Sequence, residues 1–119
     1  FTYVDDLVTG IRLLIDAVPE RPDDPNATLE SDSLSPVAPW RVVNIGNGEP
    51  VNLMDFIAAI ERTTGITAKK NFMDMQPGDV PATWAKTDLL RSLTGYAPKT
   101  DIEEGVRRFV DWYRDYYSA

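Results

Sequence analysis

The chain has 119 residues, enough for one modest domain, and 43% of them are hydrophobic. Its 19 acidic and 12 basic side chains give a net charge of −7, a balance that repels nucleic acid. It contains neither Cys nor His, which excludes a disulfide frame, thiolate chemistry and the commonest general base and metal ligand. No apolar run approaches the ~20 residues of a membrane span.

Phe1-Thr2-Tyr3-Val4 is short, apolar and β-prone. Because it reads as a strand with no lead-in, the chain is expected to be a piece of a longer one. Asp5 is placed to cap a helix in which Leu7, Val8, Ile11, Leu14, Ile15 and Val18 recur at three-and-four spacing, the pattern of a core-facing stripe. Pro19 ends that helix. Between Pro19 and Pro39 stand five prolines with many Asp, Ser and Asn. Such a segment buries too little to order itself, so residues 19–39 are expected to be a flexible loop, with a lid as the lesser alternative.

Trp40 to Gly46 reads as a buried strand. Asn52 then caps a helix, with Asp55 three residues on completing a capping-box-like pair, and Gly65 stops it. Leu53, Phe56, Ile57 and Ile60 form the expected buried face. Ile66 to Met73 returns as a second strand. Two strands joined through one helix imply a βαβ unit with parallel strands. The expected fold class is therefore α/β (α+β): a short, mainly parallel sheet packed by about four helices.

Met75-Gln76-Pro77-Gly78-Asp79-Val80-Pro81-Ala82-Thr83-Trp84-Ala85 interrupts this regularity. Two prolines and a glycine stiffen the backbone there, and a stiff loop among regular elements is where a scaffold presents binding groups. Pro-Gly-Asp is equally good chemistry for a purely structural turn. Thr87 or Asp88 starts a short helix (Leu89, Leu90, Leu93) that Gly95 ends. Thr100 with Glu103 opens the last helix, whose Ile102, Val106, Phe109, Val110, Tyr113 and Tyr117 share a face. Glu103–Arg107 and Glu104–Arg108 are expected as ion pairs across the other face. The aromatic stripe Phe109, Trp112, Tyr113, Tyr116, Tyr117 reads as helix packing rather than a base-stacking surface.

No Ser–His–Asp set, metal cluster, phosphate-binding P-loop or G-x-G-x-x-G fingerprint occurs. Asp5, Asp6, Asp101, Glu103 and Glu104 sit at helix starts, where orphan N–H groups account for them. Asp79 has no helix to cap. A carboxylate held in a stiff loop can accept from both hydroxyls of a sugar cis-diol, and Gln76 can donate its amide N–H to a phosphate oxygen. The residues alone reach as far as a small polar ligand.

The Phe1-Thr2-Tyr3-Val4-Asp5-Asp6 opening, Val43-Asn44-Ile45-Gly46-Asn47, Asn52-Leu53-Met54-Asp55-Phe56-Ile57, Gln76-Pro77-Gly78-Asp79-Val80-Pro81-Ala82-Thr83-Trp84-Ala85, Gly95-Tyr96-x-Pro98-Lys99-Thr100 and Ile102-Glu103-Glu104-Gly105 carry a resemblance. They resemble the C-terminal region of extended short-chain dehydrogenase/reductases, in particular the UDP-glucuronate 4-epimerases, over essentially the whole chain. The resemblance implies a cytoplasmic enzyme of polysaccharide biosynthesis whose N-terminal Rossmann domain binds NAD and carries every catalytic residue. Residues 1–119 would be its nucleotide-sugar-binding domain, inert alone. The parent would oxidise and re-reduce the sugar at C4, interconverting UDP-glucuronate and UDP-galacturonate, as a homodimer built on Rossmann-half helices. By the same resemblance Asp79 would contact the uridine ribose, Phe1 would lie near the nucleotide, and Gln76 would stand where related galactose epimerases carry a phosphate-binding Arg. A dehydratase or decarboxylase of the same superfamily, or a free-standing interaction module, are the rival readings.

Overall fold

The computed structural model describes residues 1–20, 23–24, 32–80 and 82–118. Four helices follow in order: α1 (Val4–Asp16), α2 (Leu53–Thr64), α3 (Asp88–Thr94) and α4 (Ile102–Tyr117). They divide between two compact units. One comprises Phe1, Glu49–Thr83 and Thr100–Ala119 and contains α2 and α4; the other comprises Thr2–Gly48 and Trp84–Lys99 and contains α1 and α3.

The helix limits follow local chemistry. Asn52 caps α2 with its side chain accepting from Met54 N–H at 2.8 Å, and Gly65 closes it in the left-handed conformation. Gly95 closes α3 in the same way, while Thr87 makes no side-chain cap bond. At α4 the cap is Asp101, accepting from Glu104 N–H at 2.8 Å, one residue beyond the expected Thr100. A carboxylate aimed at the positive helix end outcompetes the hydroxyl beside it. Tyr3 precedes α1 without a side-chain cap, so Asp5 lies in the first turn rather than capping it.

The parallel sheet and its βαβ unit are not formed: there is no strand among the described residues. The strand expected at Phe1–Val4 is absent too, since Val4 opens α1; strands exist only in pairs, and the segments 40–46 and 66–73 spend their backbone groups otherwise. In 40–46, Trp40 C=O accepts from Ser35 N–H at 3.0 Å. Ser33 Oγ accepts from Val42 N–H at 3.1 Å and donates to Val42 C=O. In 66–73, Ile66 N–H donates to Thr64 Oγ1 and Ala68 N–H to Glu61 Oε1. Residues 65–80 are exposed throughout, so the one-sided burial of a strand is absent. β-propensity is realised only against a pleated, half-buried surface, and none is supplied here.

Each unit has a narrow core. In one, Ala59 of α2 and Val106 and Val110 of α4 are buried, with Phe56 and Ile102 packed against them. In the other, α1 meets α3 through Gly10, and Leu90 is fully buried. A Cβ on Gly10 would stand 3.1 Å from Ile45 Cγ2 and 3.8 Å from Leu90 Cδ2. Gly10 is thus a packing position, closing on side chains.

The face of α1 turned inward is the one carrying Asp6 and Gly10. Of the stripe expected to be core, Leu7, Val8, Ile11, Ile15 and Val18 are exposed and Leu14 is half-buried. Leu53 and Ile60 are likewise exposed on α2, and Phe109, Tyr113 and Tyr117 on α4. The periodicity correctly marked amphipathic helices, but a stripe is buried only where something covers it. The ion pairs of α4 are also redistributed. Glu104 takes both Arg107 and Arg108, and Glu103 pairs with Arg62 of α2.

Of the 19–39 segment, residues 21–22 and 25–31 lie outside the described residues, and the lid alternative with them. The stretch from Asp32 is tied back on itself: Arg41 Nε donates to Asp32 Oδ1 at 2.8 Å and Nη2 to Oδ2 at 3.1 Å. That fork holds the Asp32 carboxyl below the usual carboxylate range. No helix among the described residues is long and apolar enough to cross a membrane.

Candidate functional site

Gln76-Pro77-Gly78-Asp79 closes as a turn in which Asp79 N–H donates to Gln76 C=O at 3.1 Å. Gly78 has φ +96°. Proline at the second position and a positive φ at the third are the signature of a type II turn, which only glycine occupies without strain. Both flanking side chains are exposed. Gln76 Nε2 donates to Asp74 C=O at 2.9 Å, so one donor of the amide offered to a phosphate serves the chain itself. The structure therefore brings Gln76 and Asp79 together on one turn and presents the Asp79 carboxylate to solvent.

Phe1 is 57% exposed and stacks on Phe56 of α2, with ring centroids 4.2 Å apart and planes at 26°. The stack leaves one face of an aromatic platform open, the geometry for an apolar or π-faced ligand.

A groove of about 520 Å³ lies in the same unit, and none of these three residues lines it. Its walls are Arg62, Thr63, Asp101, Glu103, Glu104, Arg107 and Asp111. Two guanidiniums face four carboxylates there. Arg107 Nη2 bonds Glu104 Oε2 at 2.8 Å and Nη1 bonds Asp111 Oδ2 at 3.1 Å; Arg62 bonds Glu103. The bonds from Arg107, then Arg108, hold Glu104 below the usual carboxylate range. With its cations already paired and its net charge negative, this groove is a solvated ion-pair network and repels a phosphate.

Sequence reasoning missed one buried polar cluster. Asp6 is 8% exposed; it accepts from Tyr96 Oη at 2.7 Å and from Lys99 N–H at 3.2 Å. Assigning Asp6 to the helix start was therefore incomplete: it ties α1 to the 96–99 link. Burial first, then the bond to the Asp6 carboxylate, pushes the Tyr96 hydroxyl up to about 12. The available signal was Tyr96 itself, a phenol directly after a helix-ending glycine and two residues before Pro98. Among the described residues, no group of three or more acidic side chains could hold a metal ion.

No protein-family model matches the chain. It is 48% identical over 120 residues to Protein CapI of Staphylococcus aureus, covering 98% of this chain and 35% of that protein. It is 47% identical over 117 residues to a probable UDP-glucuronate 4-epimerase of Rhizobium meliloti, covering 98% of this chain and 34% of the relative. Its fold matches a UDP-glucuronic acid 4-epimerase variant of Bacillus cereus, solved with UDP-4-deoxy-4-fluoro-glucuronic acid and NAD, at a TM-score of 0.72 and 26% identity. That match covers 98% of this chain and 32% of the other. The chain thus spans about a third of the length of these proteins.

Proposed function

Since the chain belongs to the UDP-glucuronate 4-epimerase family, we propose that it is the nucleotide-sugar-holding part of such an enzyme, the C-terminal substrate-binding domain of its parent. The observation that carries the reading is the Gln76–Asp79 turn, a stiff bend with an exposed carboxylate, within a chain similar to these epimerases along its whole length. In this reading Asp79 accepts from the two ribose hydroxyls of the uridine, Phe1 lies beside the nucleotide, and Gln76 offers its remaining amide donor toward the diphosphate. The substrate pair is UDP-glucuronate and UDP-galacturonate, in preference to a dehydratase or decarboxylase substrate, because the relatives are epimerases.

NAD does not fit this chain. There is no glycine-rich turn between strand and helix. The first turns of α2, α3 and α4 carry Asp55, Asp88, and Glu103 with Glu104, carboxylates that oppose a pyrophosphate at a helix start. The dinucleotide and the redox chemistry belong to the remaining two-thirds of the parent, its Rossmann domain. The exposed stripe of α1 (Val4, Val8, Ile11, Ile15) is the face that this domain would cover.

The test is Asp79→Ala in the full-length parent. Losing charge-assisted bonds worth about 1.5–3 kcal/mol should raise KM for UDP-glucuronate roughly ten- to a hundredfold. The turnover number should stay within about twofold, because the carboxylate binds the nucleotide and not the reacting carbon. An unchanged KM overturns the assignment.

A further inference from the structure

Gly46 is buried, and two segments that carry the candidate site converge on it. A Cβ built there would stand 2.9 Å from the Cβ of Ala85 and 3.6 Å from Thr2 Oγ1. Thr2 directly follows Phe1, and Ala85 closes the run from Met75 that carries Gln76 and Asp79. Thr2, Gly46 and Ala85 belong to one compact unit. The contact continues along the chain. A Cβ on Gly48 would lie 3.8 Å from Ala85 C=O and 3.8 Å from Thr87 Oγ1, so the 46–48 bend runs beside 85–87, the approach to α3. Ile45, one residue earlier, lies against Gly10 of α1. Between the Gln76–Asp79 turn and Ala85, the described residues Val80, Ala82, Thr83 and Trp84 are all exposed. Among the described residues, Ala85 is therefore where the chain leaving the turn first packs.

We propose that Gly46 is a positioning residue for the nucleotide-sugar site. The space left by its missing side chain seats the Ala85 methyl, and that seat fixes the foot from which the loop presents Asp79. The inference rests on the reading of Asp79 as the residue that holds the ribose. Non-bonded carbons settle at about 3.5–4.0 Å, so a methyl on Gly46 must drive Ala85 away by roughly 0.5–1 Å. An Ala Cβ has no side-chain torsion through which to swing aside, so the backbone around Ala85 moves with it. The crowding comes from Ala85 alone. Without its methyl, the remaining neighbour of the same point is Thr2 Oγ1 at 3.6 Å, an ordinary contact.

The test is a two-by-two set in the full-length parent: Gly46→Ala, Ala85→Gly and both together. Each is measured for KM with UDP-glucuronate, for kcat and for the inhibition constant of UDP. Gly46→Ala should raise KM and the UDP constant about ten- to thirtyfold and leave kcat within about twofold. Ala85→Gly empties the seat and should raise both constants about threefold. The double variant returns a methyl to the seat from the other side, and both constants should come back to within about twofold of wild type. A merely structural Gly46 would instead lower the folded fraction, and so the apparent kcat, at unchanged KM; that result overturns the proposal. So does a double variant no better than Gly46→Ala. Should Gly46→Ala fail to fold, Ala85→Gly, which only removes atoms, carries the test, and an unchanged KM there is equally fatal. Asp79→Ala in the same series keeps the two readings apart. A KM raised by Asp79→Ala but not by the Gly46 and Ala85 variants overturns the seat and leaves the ribose contact standing. The reverse pattern supports the seat and overturns the ribose contact.

Discussion

At the scale of single residues, the buried carboxylate of Asp6 matters most to stability. It holds Tyr96 Oη and the Lys99 amide at once, so its removal takes an acceptor from two part-buried donors. Tyr96→Phe should cost about 1–3 kcal/mol in urea denaturation, the price of depriving a buried carboxylate of a donor. The pH dependence has a definite sign. Tyr96 binds its proton more tightly folded than unfolded, being raised from 10.0 to about 12. Its contribution is complete below pH ~10 and is lost as pH rises toward ~12. Denaturation midpoints measured from pH 8 upward should fall across that window in the native chain and fall less in Tyr96→Phe. Asp79 is the opposite kind of residue: exposed, held only through its backbone turn, and expected to matter to ligand rather than to fold.

At the scale of elements, end signals proved legible and faces did not. Asn52, Gly65 and Gly95 delimit α2 and α3 where the sequence places them, because capping is settled within three or four residues of chain. Asn52→Ala should therefore cost about 1 kcal/mol in urea denaturation without shifting the remaining helix content, since it loses the side-chain bond to Met54 N–H and keeps the backbone bond from Phe56 N–H to its C=O. A loss well below that would mean the α2–α4 contact, not the cap, fixes where the helix begins. The strands expected at 40–46 and 66–73 failed for a reason local pattern cannot express. Their apolar, β-branched residues are real, but Ser33, Thr64 and Glu61 satisfy their backbone groups before any strand does.

At the scale of the whole molecule, the buried set is small: Ala59, Leu90, Val106 and Val110 are the buried hydrophobic side chains among the described residues. Two exposed stripes, on α1 and on α4, remain for other surfaces to cover. The same incompleteness predicts how the isolated chain behaves toward nucleotide. With Asp79 open to solvent and the groove beside α4 bearing four carboxylates, calorimetry with UDP should show no binding tighter than about millimolar. Micromolar affinity would mean the nucleotide pocket is complete within these residues.

The amino-acid sequence by itself determined that there are four helices, the ends of α2 and α3, turn chemistry at Pro77-Gly78-Asp79, and a family resemblance that the comparisons bear out. Each depends on residues within a few positions of one another or on the order of residues alone. Only the tertiary structure decided which helix faces are covered, that Asp6 answers to Tyr96 ninety residues away, and that no sheet forms among the described residues. Burial and strand pairing require a second surface. The identity of that surface is written in residues distant along the chain, or in none of its residues at all.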